Sequence, residues 1–127
     1  MTGENGMAKI LVADDAMFMR MALRKILEEA DYEVCEARDG EEMIRVYEQE
    51  KPDLITLDIT MPKMDGLEGL KALKEKYPEA KVIMCSAMGQ QAMVLDAIRS
   101  GAHDFIIKPF EKGKVLDSIK KVMAMKF

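Results

Sequence analysis

The sequence has no tryptophan, one histidine, two cysteines and only 6% aromatic residues. Two cysteines are too few for a disulfide scaffold or a four-thiolate zinc site. No apolar run approaches the roughly 20 residues of a membrane span. No basic start leads into an apolar stretch, so a secretory signal is not indicated. Nor is there an excess of positive charge: 19 basic residues face 23 acidic ones, a net charge of −4. That balance argues against nucleic-acid binding by phosphate neutralisation and against a polybasic membrane anchor. What remains is ample material for a core, since 49% of the 127 residues are hydrophobic. A chain of this length buries roughly two thirds of its unfolded surface, as one domain. A cytoplasmic, monomeric protein that neither enters a membrane nor binds nucleic acid is expected.

The first six residues, Met1-Thr2-Gly3-Glu4-Asn5-Gly6, are small, polar and glycine-rich. Residues 1–8 are expected to be a flexible leader or tag remnant, and 9–127 one domain. Five short apolar runs then alternate with longer segments of helical spacing. The runs are Lys9–Ala13, Glu33–Ala37, 54–57, 82–85 and 105–107. Helical stripes are carried by Ala22, Leu23, Ile26, Leu27 and Ala30; by Met43, Ile44 and Tyr47; by Leu67, Leu70 and Leu73; by Val94, Ala97 and Ile98; and by Val115, Leu116, Ile119, Val122 and Met123. Asp39-Gly40, Lys51-Pro52, Tyr77-Pro78 and Ser100-Gly101 punctuate the units. This pattern predicts a single α/β domain with five parallel strands, helices on both faces and strands buried on both sides.

In such an open sheet, ligands bind beyond the carboxyl ends of the strands, where strand order reverses. The first run ends in Asp14-Asp15, the third in Asp58, the fourth in Ser86 and the fifth in Lys108-Pro109. Each piece alone is ordinary, because acidic pairs, a strand-end serine or an exposed lysine usually do nothing special. Their joint placement at one edge is informative. Two carboxylates about 4 Å apart repel by about 4 kcal/mol at an effective dielectric of about 20. Three at one rim need a cation or raised pKa values. An all-oxygen set suits Mg²⁺, with Mn²⁺ as a substitute. Asp14, Asp15 and Asp58 are therefore expected to hold Mg²⁺. With Lys108 and Ser86 beside them, the set suits phosphoryl transfer to Asp58 as an acyl phosphate.

Those residues, in that order and spacing, resemble the receiver domain of two-component response regulators from about Lys9 onward. Finer motifs are Asp14-Asp15-Ala16-Met17-Phe18-Met19-Arg20, Asp58-Ile59-Thr60-Met61-Pro62-Lys63-Met64-Asp65-Gly66 and Met84-Cys85-Ser86-Ala87-Met88-Gly89-Gln90-Gln91. They are similar to the stand-alone chemotaxis receivers of the CheY type. The resemblance implies the flavodoxin-like strand order 2-1-3-4-5. It implies that the backbone carbonyl of Thr60 completes the Mg²⁺ shell and that the Lys108–Pro109 bond is cis. It makes Ser86 and Phe105 the switch pair, coupling Asp58 to the surface of the fourth helix, fifth strand and fifth helix. It implies a signalling switch that catalyses its own phosphorylation and dephosphorylation, rather than an enzyme acting on other substrates. The implied partners are a histidine kinase of the CheA type, the flagellar switch protein FliM or an archaeal motor adaptor, and a CheC- or CheX-type phosphatase. A phosphorelay intermediate or a regulator of a non-motility output is the alternative. A dehalogenase-type hydrolase would need an acid two residues after Asp58, where Thr60 stands, and a flavin carrier would need a hydroxyl-rich loop where Asp14-Asp15 stands.

His103 is expected to be an unremarkable surface residue. The cysteines fall in the second and fourth strands, three places apart in this order, or about 14 Å. A disulfide needs Cα atoms within about 7 Å, so both are expected to be reduced. Met21, Met43, Met84 and Met123 are expected at core or core-edge positions, and Met88 and Met93 near the output surface.

Overall fold

The computed structural model describes residues 8–61 and 64–125. The expected leader, apart from Ala8, and the Pro62-Lys63 part of the Asp58 motif lie outside them. The order of elements is β1 (Lys9–Ala13), α1 (Met17–Glu29), β2 (Glu33–Ala37), α2 (Gly40–Glu50), β3 (Leu54–Asp58), α3 (Gly66–Lys76), β4 (Val82–Ser86), α4 (Gln91–Arg99), β5 (Asp104–Ile107) and α5 (Lys112–Met123). The strands form one parallel sheet in the order β2-β1-β3-β4-β5. No described helix is long and apolar enough to cross a membrane.

The alternation of side chains along each strand divides the core in two. Leu11, Ile55, Leu57, Val82 and Met84 point to one face and pack with Met43 of α2, Leu70 and Leu73 of α3, and Val94 and Ala97 of α4. Ile10, Val12, Leu54, Ile83 and Cys85 point to the other and pack with Leu23 and Leu27 of α1 and Val115, Ile119 and Val122 of α5. β1, β3 and β4 are almost wholly buried, as expected. β2 and β5 are not: they are the edges of the sheet, and β5 leaves Phe105 and Ile107 exposed. The helical stripe of α4 also narrows to Val94 and Ala97, because Ile98 is 38% exposed. Met43 and Met84 are fully buried, but Met21 is 58% exposed on the outer side of α1, against expectation. Its neighbours in the stripe, Leu23 and Leu27, already fill the contact with the sheet.

The predicted breaks fall at helix ends. Asp39 accepts from the Glu42 N–H and caps α2, and Asp65 and Glu68 form a reciprocal capping box on α3. Cys35 and Cys85 are free, on β2 and β4 with β1 and β3 between them. His103 is half-buried rather than a plain surface residue. Its Nδ1 accepts from the Val82 N–H at 3.2 Å, and its own N–H donates to the Val82 carbonyl at 2.8 Å.

The turn after β3 runs tight against the strand it leaves. The Gly66 N–H donates to the Ile59 carbonyl at 2.7 Å. A Cβ on Gly66 would collide with the Asp58 carbonyl and lie 2.7 Å from the Ile59 Cα. Both obstacles are backbone and cannot rotate away. Gly66→Ala should therefore lower stability by about 1–3 kcal/mol, as overpacking does. A lower urea midpoint at unchanged m value is the expected result; an unchanged midpoint would show that the turn yields freely.

Candidate functional site

Consecutive strands run outward in opposite directions from β1 and β3, so strand order reverses between them. A crevice opens there beyond the carboxyl ends. Asp14 follows β1 and Asp58 is the last residue of β3, so parallel pairing alone places both at the crevice. Asp14 is 4% exposed and Asp58 6%, while Asp15 faces solvent. One carboxylate oxygen from each of the three lies within 4.8 Å of the others.

Lys108, just beyond β5, reaches across to the pair. Its Nζ lies 2.9 Å from Asp14 Oδ2 and 3.0 Å from Asp58 Oδ1. Burial works against the ammonium charge, but the bonds to Asp14 and Asp58 outweigh it and raise the Lys108 pKa. Asp58 behaves in the opposite way. Burial, and then the neighbouring Asp14 charge, push its carboxyl up to about 6 despite the opposing pull of Lys108. Three carboxylates against one ammonium leave the cluster formally two negative charges in excess when all are ionised.

The donor set is entirely oxygen, the kind of ligand that hard divalent cations take. The nearby Cys85 thiol is held protonated by burial and offers no thiolate. The residues present therefore suit a hard divalent cation, Mg²⁺ or Mn²⁺.

The other predicted residues surround this cluster in different ways. Ser86 ends β4, is buried, and its carbonyl accepts from the Lys108 N–H at 2.8 Å. The Lys108–Pro109 bond is cis. Thr60 lies two residues past Asp58 and is exposed, and its hydroxyl accepts from Gln90. Phe105 does not reach the acids. It is 42% exposed on β5 and borders an apolar cavity of about 290 Å³ with Ser86, Ala87, Met88 and Leu95.

Arg20 and Glu36 have no role in the motif as read from sequence. Arg20 Nη1 donates to the Asp14 carbonyl at 2.7 Å, and its Nε donates to Glu36 at 2.8 Å. Glu36 also accepts from Arg24 at 2.6 Å. Asp14 Oδ1 in turn accepts from the Ala16 N–H at 2.9 Å. This chain of bonds fixes the β1–α1 turn and hence the direction of the Asp14 carboxylate. A signal was present: Arg20 stands three residues before Leu23, on the buried stripe of α1. A charge on a core-facing stripe needs a partner.

Residues 10–120 match the family model for the response regulator receiver domain. The chain belongs to that family. It is 56% identical over 116 residues to the chemotaxis protein CheY of Listeria monocytogenes, covering 91% of this chain and 98% of the relative. It is 52% identical over 118 residues to the protein CcdB of Bacillus subtilis, covering 92% of this chain and 98% of the relative. Among solved structures it is similar to the response regulator domain of Thermotoga maritima CheB, with 36% identity and a TM-score of 0.86. That match covers 95% of this chain and 99% of the other. The receiver match runs from β1 into α5, with an acidic cluster that could hold a metal ion at its switch point.

The raised pKa of Asp58 has a consequence for stability. The group titrates near 3.9 unfolded and at about 6 folded, so its protonated form favours the fold. The stabilisation is complete below the unfolded value and is lost as pH rises through about 6. In metal-free protein, stability should therefore fall between pH 5 and 8 by about 1–1.5 kcal/mol more than in Asp58→Asn. Urea unfolding in chelator at the two pH values measures this. Equal pH dependence in both proteins would show that Asp58 ionises normally.

Proposed function

We propose that this chain is a phosphorylation-controlled switch of chemotaxis, with Asp58 as phosphoacceptor and Mg²⁺ as cofactor. The observation that carries the reading is the Lys108 ammonium set 2.9 Å and 3.0 Å from the two buried acids of the crevice. Asp14, Asp15 and Asp58 would hold the ion, with the Thr60 carbonyl as a further oxygen. When bound, Mg²⁺ neutralises charge on one phosphoryl oxygen.

The chain's own residues do the remainder. A carboxylate oxygen of Asp58 attacks the phosphorus of a phosphohistidine on a kinase of the CheA type. The new P–O bond forms as the P–N bond breaks, and the imidazole leaves with the electron pair. Lys108 leaves its bond to Asp58 for a phosphoryl oxygen, and the Ser86 hydroxyl takes another. Charge-assisted bonds of this kind are roughly twice as strong as neutral ones. Movement of Ser86 opens the adjoining apolar cavity to the Phe105 ring. With Phe105 drawn in, the exposed Ile107, Met88, Leu95 and Ile98 supply an apolar surface across α4 and β5 for a partner. On the chemotaxis reading, that partner is FliM or an archaeal motor adaptor, and a CheC- or CheX-type phosphatase resets the switch. The protein acts in the cytoplasm, as a monomer, and turns over only its own phosphoryl group.

The CcdB protein of Bacillus subtilis, at 52% identity, does not bear the chemotaxis name. A phosphorelay intermediate or a regulator of another output is therefore the second reading, and the same site chemistry serves it. Identification of the bound partner separates the two.

Incubation with acetyl phosphate and Mg²⁺ should add one phosphoryl group to the intact mass. Asp58→Asn should show no such adduct, and chelation of the ion should abolish it in the wild type. An adduct that survives Asp58→Asn or chelation would place the acceptor elsewhere, and no adduct at all would leave an interaction module without the phosphoryl switch.

A further inference from the structure

One side chain at the rim bonds to both loops that flank Asp58. The Gln90 Oε1 accepts from the Ala87 N–H at 2.7 Å, and its Nε2 donates to Thr60 Oγ1 at 3.0 Å. The orientation of the amide is fixed by chemistry, because only its oxygen can accept from a backbone N–H. Ala87 directly follows Ser86 at the carboxyl end of β4, and Thr60 follows β3 by two residues. Gln90 thus ties the β3–α3 loop to the β4–α4 loop.

We propose that Gln90 is a positioning residue for the phosphoryl site, a latch whose amide occupies the Ala87 N–H that a phosphoryl oxygen on Asp58 would claim. The proposal rests on the reading of Asp58 as phosphoacceptor. Backbone N–H groups just beyond a strand end are ready donors to an anion. The Ala87 N–H is such a donor, one residue past Ser86, and in the resting protein Gln90 satisfies it. A dianionic phosphoryl oxygen is the stronger acceptor, so phosphorylation displaces the amide and the bond to Thr60 goes with it.

Two features of the loop suit a latch that opens. Gln90 stands at the N-cap of α4, yet its side chain makes no capping bond to that helix. Glutamine is not among the favoured N-cap residues, and α2 and α3 both begin at a capping aspartate. Release of Gln90 therefore costs α4 no cap. Before it, Gly89 has φ +92°, in the left-handed region that turns the chain back so that Gln90 reaches Thr60. The latch thus connects the acceptor to α4, one wall of the apolar cavity beside Phe105.

Removal of the latch removes a bond that only the resting state makes. Gln90→Ala should bind beryllofluoride with Mg²⁺ about 3- to 10-fold more tightly than wild type, the range expected for one net hydrogen bond. Gln90→Asn, whose amide is one methylene too short to span the loops, should do the same. Thr60→Val should give a smaller gain and add nothing in the Gln90→Ala background. Without beryllofluoride, the Ala87 amide should exchange faster in Gln90→Ala than in wild type, and the melting temperature should fall by a few degrees, as loss of a bond made only in the resting state requires. Affinity unchanged or weakened in Gln90→Ala, with normal binding to wild type, would overturn the latch and leave Asp58 as acceptor intact. Binding to none of the proteins would overturn the Asp58 reading, and this proposal with it.

Discussion

Asp14 and Asp58 are buried side by side at the one place in the sheet where strand order reverses, and a single ammonium group lies between them. Like charges in a partly dry site repel strongly unless a cation is interposed. Lys108 supplies that cation from the far edge of the sheet, which requires β5 to pair correctly with β4 and the chain beyond it to turn toward the crevice. The compensation is incomplete. Burial, and then the excess negative charge, drive Asp58 toward protonation, and the same excess makes the cluster a fitting site for a divalent ion. The site is electrostatically poised because the fold gathers three acids around one lysine.

The remainder of the molecule serves to hold that arrangement. Two apolar layers clamp β1, β3 and β4, the strands that deliver the acids and Ser86. Arg20 and Glu36 fix the first turn, and Gly66 allows the turn after β3 to close against the Asp58 carbonyl. By contrast, β5 and α4 present Phe105, Ile107, Leu95 and Ile98 to solvent. Rigid strands carry the chemistry, while an edge strand and a short helix without a side-chain cap form the surface that can change. That division follows from sheet order, since an edge strand has one neighbour and one covered flank.

Much of this was legible in the residues. Apolar runs of three to five residues separated by helical stripes gave the element order, because burial on both faces leaves the central strands largely apolar. Asp14, Asp58, Ser86 and Lys108 could be found as the first polar groups after those runs. The expectation failed where burial depends on position in the sheet: Phe105 and Ile107 are as apolar as the residues of β4 but sit at an edge. Met21 and Ile98 failed similarly, as helical spacing indicates a stripe without giving its width. Arg20 was recoverable as a charge on a core-facing stripe, though not the carbonyl it would bond.

From the residues alone came the composition of the core, the alternation of strand and helix, the positions of the turns and the chemical types at the strand ends. These are local properties, fixed by periodicity, backbone preference and side-chain chemistry within a few positions. The tertiary structure decided which strands lie at the edges, that Lys108 spans both acids, that Arg20 restrains Asp14 and that Gln90 joins Ala87 to Thr60. Each of these depends on distances between residues far apart in the chain, as Lys108 is 50 positions from Asp58 and Gln90 is 30 from Thr60. Such distances are set by packing of the whole sheet and its helices, and no local pattern encodes them.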